Sequence, residues 1–275
     1  MTRLTGIALA AIAGAALATL PIAGQGQAKG KGKDAAKANP AVVHAPVPRA
    51  ADGKPDLTGT WQSGGREYQR RSGRSAAASI APHRQSSDPA RAAGLQAEWE
   101  AKRKKLDVAL DDPTLFCLLP GVPRISTMPM PLEIVQTPKE IVILHEAFRA
   151  WRRIPIDANL KHPDDVTPTW MGDSVGRWEG DTFVVDTIGF NDKSWIAGAA
   201  SIHSEAMHVV ERYTLNTDGS LSFESMVEDK GRPREALLHT GAIFRRPIDV
   251  RVEEYECIEN NPDPGHMFKA AGRTK

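Results

Sequence analysis

Apolar residues recur along this chain in two registers, and the change of register divides it. Over 88–110, Ala92, Leu95, Trp99 and Leu106 return at helical spacing, with Asp88 as cap and Pro89 at the first helical position, which predicts a helix. From Leu132 onward the runs shorten and fill with Ile, Val and aromatic residues. Segments 133–136, 140–148 and 150–156 read as strands broken by Thr137-Pro138 and Asp157-Ala158-Asn159. Segments 174–178 and 182–190 flank Glu179-Gly180-Asp181, and 207–215 and 221–228 flank the run NTDG, two hairpin signals. Over 248–257, Ile248, Val250 and Val252 alternate against Asp249, Arg251 and Glu253, which predicts a closing strand. Upstream, the Gly-Thr-Trp ending at Trp61 is a first strand cue, and 62–83 is basic, aperiodic loop. Strands joined by tight turns imply an antiparallel meander, and about eight of them avoid exposed edges by curling into a barrel. The fold expected is mainly β, an antiparallel β-barrel with an N-terminal helical segment, with a β-sandwich as rival.

Charge and composition narrow the function classes. The 275 residues carry 35 Lys and Arg against 34 Asp and Glu, a net charge of +1, and 41% are hydrophobic. Such a balance excludes nucleic-acid binding by bulk electrostatics. Residues 1–28 read as a signal peptide: Arg3 supplies the positive start, an apolar run follows, and Gly26-Gln27-Ala28 offers small residues for cleavage. An uncleaved anchor is the alternative, since the run approaches the ~20 residues of a membrane span. Residues 29–54, rich in Lys, Ala and Pro, read as a disordered basic linker, 55–262 as a single β-rich domain and 263–275 as a flexible tail. After leader and linker are set aside, 28 basic and 32 acidic residues remain, a net charge of −4. The expected location is periplasmic or secreted, with no stable membrane insertion after cleavage. An exported pair of cysteines, Cys117 and Cys257, is expected to form one disulfide; two free thiols are the alternative.

Segment 168–192, PTWMGDSVGRWEGDTFVVDTIGFND, resembles a large uncharacterised family of secreted bacterial proteins. The resemblance runs on through 203–212, HSEAMHVVER, and back to Asp112-Pro113, Cys117 and 121–124, GVPR, so it covers 112–228. Members tend to carry a CHEGNY-like segment where this chain has CIENNP from Cys257. The general look is similar to lipocalin-type (calycin) barrels, which implies a cavity for a small apolar ligand.

Candidate chemistry crowds between His162 and Arg212. Trp170, Trp178 and Trp195 with His162 and Arg212 have the makings of a small-molecule pocket, aromatic walls with a few polar groups. His203, Glu205 and His208 fall within six residues, and an acid–base role is open to them, with Glu205 beside His203 or Asp173 beside His208. A zinc site is the weaker alternative. The five-residue separation differs from the helical His-Glu-x-x-His arrangement, so a single ion needs a bend or a third ligand such as His162. Serine chemistry through Ser174 or Ser204 lacks a Gly-x-Ser-x-Gly elbow.

On a strand over 207–215, Met207, Val209, Glu211, Tyr213 and Leu215 share one face, and His208, Val210, Arg212 and Thr214 the other. If the second face lines the interior, His208 and Arg212 meet a ligand; if the first does, the interior is apolar and Glu211 is its anomaly. Asp186 interrupts an apolar strand and needs a partner if buried, for which Arg177 and Arg212 are candidates. Two functions follow as expectations. One is an exported binder of a small, largely apolar or aromatic molecule. The other is an acid–base lyase, isomerase or hydrolase acting on such a molecule. No cofactor is called for, and oligomeric state is left open.

Overall fold

The structure is a computed structural model that describes residues 46–63, 79–80, 84–85, 89–198, 200–230, 234–235, 238–245, 250–259 and 261–272. The leader, most of the linker, the Asp88 cap and the basic loop from Arg66 to Arg74 lie outside the described residues. The described part belongs to one compact unit, Val42–Lys275.

The chain is mainly β and antiparallel. Its strands are β1 (Gly59–Ser63), β2 (Ser79–Ile80), β3 (Arg84–Gln85), β4 (Leu132–Gln136), β5 (Glu140–His145), β6 (Trp151–Pro155), β7 (Asp173–Glu179), β8 (Thr182–Ile188), β9 (Met207–Leu215), β10 (Leu221–Asp229), β11 (Arg234–Glu235) and β12 (Leu238–Arg245). The helices are α1 (Pro89–Lys104) and α2 (Asp263–Ala270). The main sheet runs β6-β5-β4-β1-β12-β10-β9-β8-β7, with β2 added on β12 and β3 paired to β11 apart from it. Strand β1 joins the two halves: Gly59–Trp61 pairs with β4, and Gln62 and Ser63 pair with β12. At the two ends of this order, β6 and β7 meet at one parallel bridge, Ile156 to Gly176, where the Asp157 N–H donates to the Gly176 carbonyl at 2.8 Å.

Both hairpin signals form. Glu179 pairs with Thr182 across Gly180 and Asp181, and Gly180 takes the positive φ (61°) that a two-residue turn demands. The expected closing strand does not form over its described part: 250–257 is irregular, and β12 takes that place. The alternation that suggested a strand belongs to a strap fixed by side chains. The Glu253 N–H donates to Glu146, Arg149 pairs with Glu256 at 2.8 Å, and Cys257 is disulfide-bonded to Cys117, 140 residues earlier. The segment read as a flexible tail contains α2, whose Phe268 packs on Phe116. Helix α1 ends at Lys104, short of the expected 110. Beyond it Asp107 and Asp111 turn their carboxylates onto the Ala109 and Asp107 N–H groups, a local alternative to helical bonding.

Period-two alternation sorts each strand into an inner and an outer face, and the inner positions stack in layers. Trp61, Leu132, Ile134, Ile141, Ile143, Ile154, Phe183, Val185, Tyr213, Phe223 and Phe244 fill one layer, with Tyr213 against Phe223 and Phe223 against Phe244. A second apolar layer holds Val122, Ile125, Phe190, Met207, Val209 and Val227. Strands β5 to β10 each also contribute a buried polar residue to a belt: His145, Arg152, Ser174, Thr187, Glu211 and Ser225. On β9 the buried face is apolar except for Glu211, as the first reading of that strand has it.

Candidate functional site

Glu211 is fully buried, and its partner is Arg152 on β6. The guanidinium donates to both carboxylate oxygens, at 3.0 and 2.6 Å, and one of its nitrogens also donates to Ser174 and Thr187. Ser126 and Tyr213 complete the carboxylate's acceptor sites. Burial alone depresses the ionisation of a guanidinium; the adjoining Glu211 carboxylate outweighs it and raises the value for Arg152. His145, on the same belt, is pushed down to about 3 by burial and by Arg152, so its ring is neutral, and among the described residues its Nε2 and the Arg152 Nε meet no hydrogen-bond partner.

The outer face of the same strands carries a second cluster. The 157–172 segment leaves β6, crosses the outside of the sheet and returns as β7, and it places His162 between two carboxylates. Nδ1 of His162 lies 2.7 Å from Asp173 on β7, and Nε2 lies 2.9 Å from Asp186 on β8. The second oxygen of Asp186 meets Nε2 of His208, on β9, at 2.7 Å. The result is a row Asp173–His162–Asp186–His208 in which acid and imidazole alternate. Carboxylates only accept, so with both acids ionised each His162 nitrogen donates and the ring is the imidazolium.

Burial opposes the charge on Asp186, but hydrogen bonds from His208 and His162 outweigh it and hold the carboxyl below its usual range. The hydrogen bond to Asp186 raises His208, against a smaller desolvation effect, with Glu228 adding to the rise and Lys230 opposing it. An open groove of about 420 Å³ adjoins the row, lined by Pro155, Ile156, Asp157, Lys161, His162, Pro163 and Asp173 to Val175. It sits at the junction of β6 and β7.

The structure brings together three of the residues expected at a site, His162, Asp173 and His208, and disperses the rest. Asp173 pairs with His162 and not with His208. The partner of Asp186 is a pair of histidines and not Arg177 or Arg212. His203 is buried on the other side of β9: its Nε2 meets Ser194 Oγ at 2.8 Å and its Nδ1 donates to the Ser204 carbonyl. Glu205 is exposed in the turn before β9. His203, Glu205 and His208 thus form no common site, and among the described residues no group of three or more His, Cys, Asp or Glu has the arrangement to hold a metal ion.

Arg212 points outward to Glu179 at 2.8 Å. Trp178 packs on Phe183 at the core, Trp195 on a cluster with Trp99, Ala200 and Ile202, and Trp170 lies half-buried in the segment before β7, so these tryptophans do not wall one cavity. Ser174 donates no nucleophile to the groove, since its hydroxyl is engaged inside with Arg152 and Thr187. Cys117 and Cys257 are bonded, with Cα atoms 5.5 Å apart.

Sequence reasoning missed Arg152 altogether. Its signal was a lone basic residue at an inward position of 150–156, where Ile154 is its neighbour on the same face. Among the described residues no helix is long and apolar enough to cross a membrane. No known protein family matches the chain, and no curated protein matches it significantly.

Proposed function

We infer that this chain is an exported β-barrel protein that binds a small, largely apolar molecule in the groove at the β6–β7 junction and exchanges a proton with it through Asp173 and His162. Nine strands arranged in a ring cannot alternate direction throughout, so a closed antiparallel ring of nine contains one parallel neighbour pair. Eight antiparallel steps separate β6 from β7 along the sheet, and the single bridge between them is parallel, which supports closure at that junction. The junction has fewer backbone links than the others, and the groove lies there. The bond between Cys117 and Cys257 supports an oxidising compartment, in line with the leader and the resemblance to secreted bacterial proteins.

The observation that carries the acid–base reading is an imidazole held between two carboxylates at the wall of a groove. Asp173 is about one-third exposed and lines the groove, and is the one placed to meet a ligand. Pro155, Ile156, Pro163 and Val175 supply an apolar surface for the ligand's body, and Lys161 stands at the rim. A ligand with a weakly acidic C–H or O–H loses its proton to the Asp173 carboxylate, and the imidazolium of His162 fixes that carboxylate's orientation. The packed interior favours this outside site over a ligand held within the ring.

The test is exchange of deuterium from D2O into the acidic C–H positions of a panel of aryl ketones and aryl acetates, with the mature protein as catalyst. The expected result is a saturable exchange rate that falls by about 10²–10⁴-fold in Asp173→Asn. Exchange no faster than in buffer across the panel overturns the catalytic reading. Histidine and tryptophan resonances unmoved by any panel member overturn the binding reading as well.

A further inference from the structure

The alternation of charge along Asp173–His162–Asp186–His208 has a consequence for the far end of the row. With both acids ionised and both rings protonated the four groups sum to zero. With His208 neutral they leave one uncompensated negative charge beside a partly buried Asp186. A proton gained at one end therefore weakens the hold on a proton at the other.

The geometry points to His208 as the charge-compensating proton site of the groove: when Asp173 takes a proton from a bound ligand, His208 releases a different one to solvent. The inference rests on the acid–base reading of the groove given above. The balance is complete without a hop along the row. The ligand's C–H or O–H bond breaks and its electron pair stays on the ligand; Asp173 becomes the neutral acid; the N–H bond of the His208 imidazolium breaks, and its proton passes to water. His208 is placed for this, since its side chain is about one-third exposed, on the outer face of β9, while His162 between the acids is largely enclosed.

Each charged group among the described residues that faces His208 bears on the exchange. Asp186 reaches it from β8, Glu228 stands opposite it on β10, and Lys230 follows β10. On its own strand Arg212 is occupied by Glu179. Glu228 favours the charged ring and Lys230 disfavours it, but neither touches the groove. The ligand's influence on His208 therefore runs through Asp186 and His162. His208 acts on the groove through these two and is a positioning residue.

The experiment is a titration of the His208 ring by NMR in the full mature chain, without ligand. Asp173→Asn stands in for the protonated acid, and it is expected to lower the His208 midpoint by on the order of half a pH unit. Asp186→Asn removes the adjoining charge and lowers it by about one unit or more. His162→Gln takes away the competing cation and raises it. Asp181→Asn, in the exposed β7–β8 turn and paired only with Arg49 among the contacts described, removes an equal charge from the same hairpin and leaves it in place.

A His208 midpoint that moves no more in Asp173→Asn than in Asp181→Asn overturns the coupling. If Asp173→Asn does not fold, His162→Gln decides, and an unmoved midpoint there has the same force. The failures separate. Loss of the exchange reaction leaves these shifts standing, whereas their absence removes the coupling whatever the exchange assay gives.

Discussion

Two polar clusters lie back to back on the same strands, and they differ in almost every physical respect. Ser174, Thr187 and Glu211 point inward to Arg152; Asp173, Asp186 and His208, on the same three strands, point outward to His162. Neighbours in sequence, 173 beside 174 and 186 beside 187, serve opposite faces because side chains alternate with a period of two. The inner cluster is built on a guanidinium, which stays charged at any ordinary pH, and it is closed to water. The outer one is built on imidazoles, which change charge near neutrality, and it borders a groove. A buried pair stabilises by being complete, whereas the outer row is partly open to solvent at Asp173 and His208.

The sharpest way to break this contrast is to unpair the inner cluster. Glu211→Ala leaves the Arg152 charge buried without its counter-ion, and we expect a loss of about 3–5 kcal/mol in chemical denaturation. The double variant Arg152→Met with Glu211→Leu recovers most of that loss, because an apolar pair of similar volume carries no desolvation cost. If the single variant costs no more than a surface substitution, the inner cluster is not the completed pair described above.

Next in size is an acid effect that belongs to the inner belt. His145 is neutral in the fold, with its value depressed to about 3, and it gains a proton near its ordinary value when unfolded. The unfolded chain therefore binds more protons between about pH 6.5 and 3, and stability falls on acidification there by on the order of 1 kcal/mol per pH unit. Denaturation curves of His145→Leu are expected to show a flatter acid limb than the parent. An unchanged slope removes His145 from the account.

The smallest effect comes from the outer row. Asp186→Asn loses two charge-assisted hydrogen bonds in a partly exposed setting, and we expect about 1 kcal/mol. Its pH dependence has two sides. Asp186, depressed in the fold, contributes above its unfolded value and loses that contribution as pH falls through the lowered one. His208, raised in the fold, contributes below its ordinary value and loses that contribution as pH rises through the raised one. The difference in stability between parent and variant is thus expected to be greatest between those limits and to shrink outside them.

Strand positions were largely legible because turn residues punctuate them: Gly180 and the NTDG run mark both hairpins, and the inner face of β9 was readable down to Glu211 as its odd member. Strand β12 was not legible, since Gly241 at its centre and His239 beside it dilute the apolar pattern. The strap over 250–257 carried a period-two alternation with no sheet neighbour to use it. Asp186 was recognisable as a group in need of a partner. The partner was not recognisable, because His162 comes from a connecting segment 24 residues earlier and no local periodicity links a loop to a strand face. Likewise, the proximity of His203, Glu205 and His208 in sequence proved a poor guide. A buried loop residue, an exposed turn residue and a strand residue do not share a direction.

The bond between Cys117 and Cys257 encloses all the strands from β4 to β12 in sequence. A chain whose synthesis stops anywhere in that stretch lacks the second sulfur. The closed bond is accordingly a mark of completeness: a molecule that carries it has been synthesised through its whole sheet, and reagents that count free thiols distinguish finished copies from fragments.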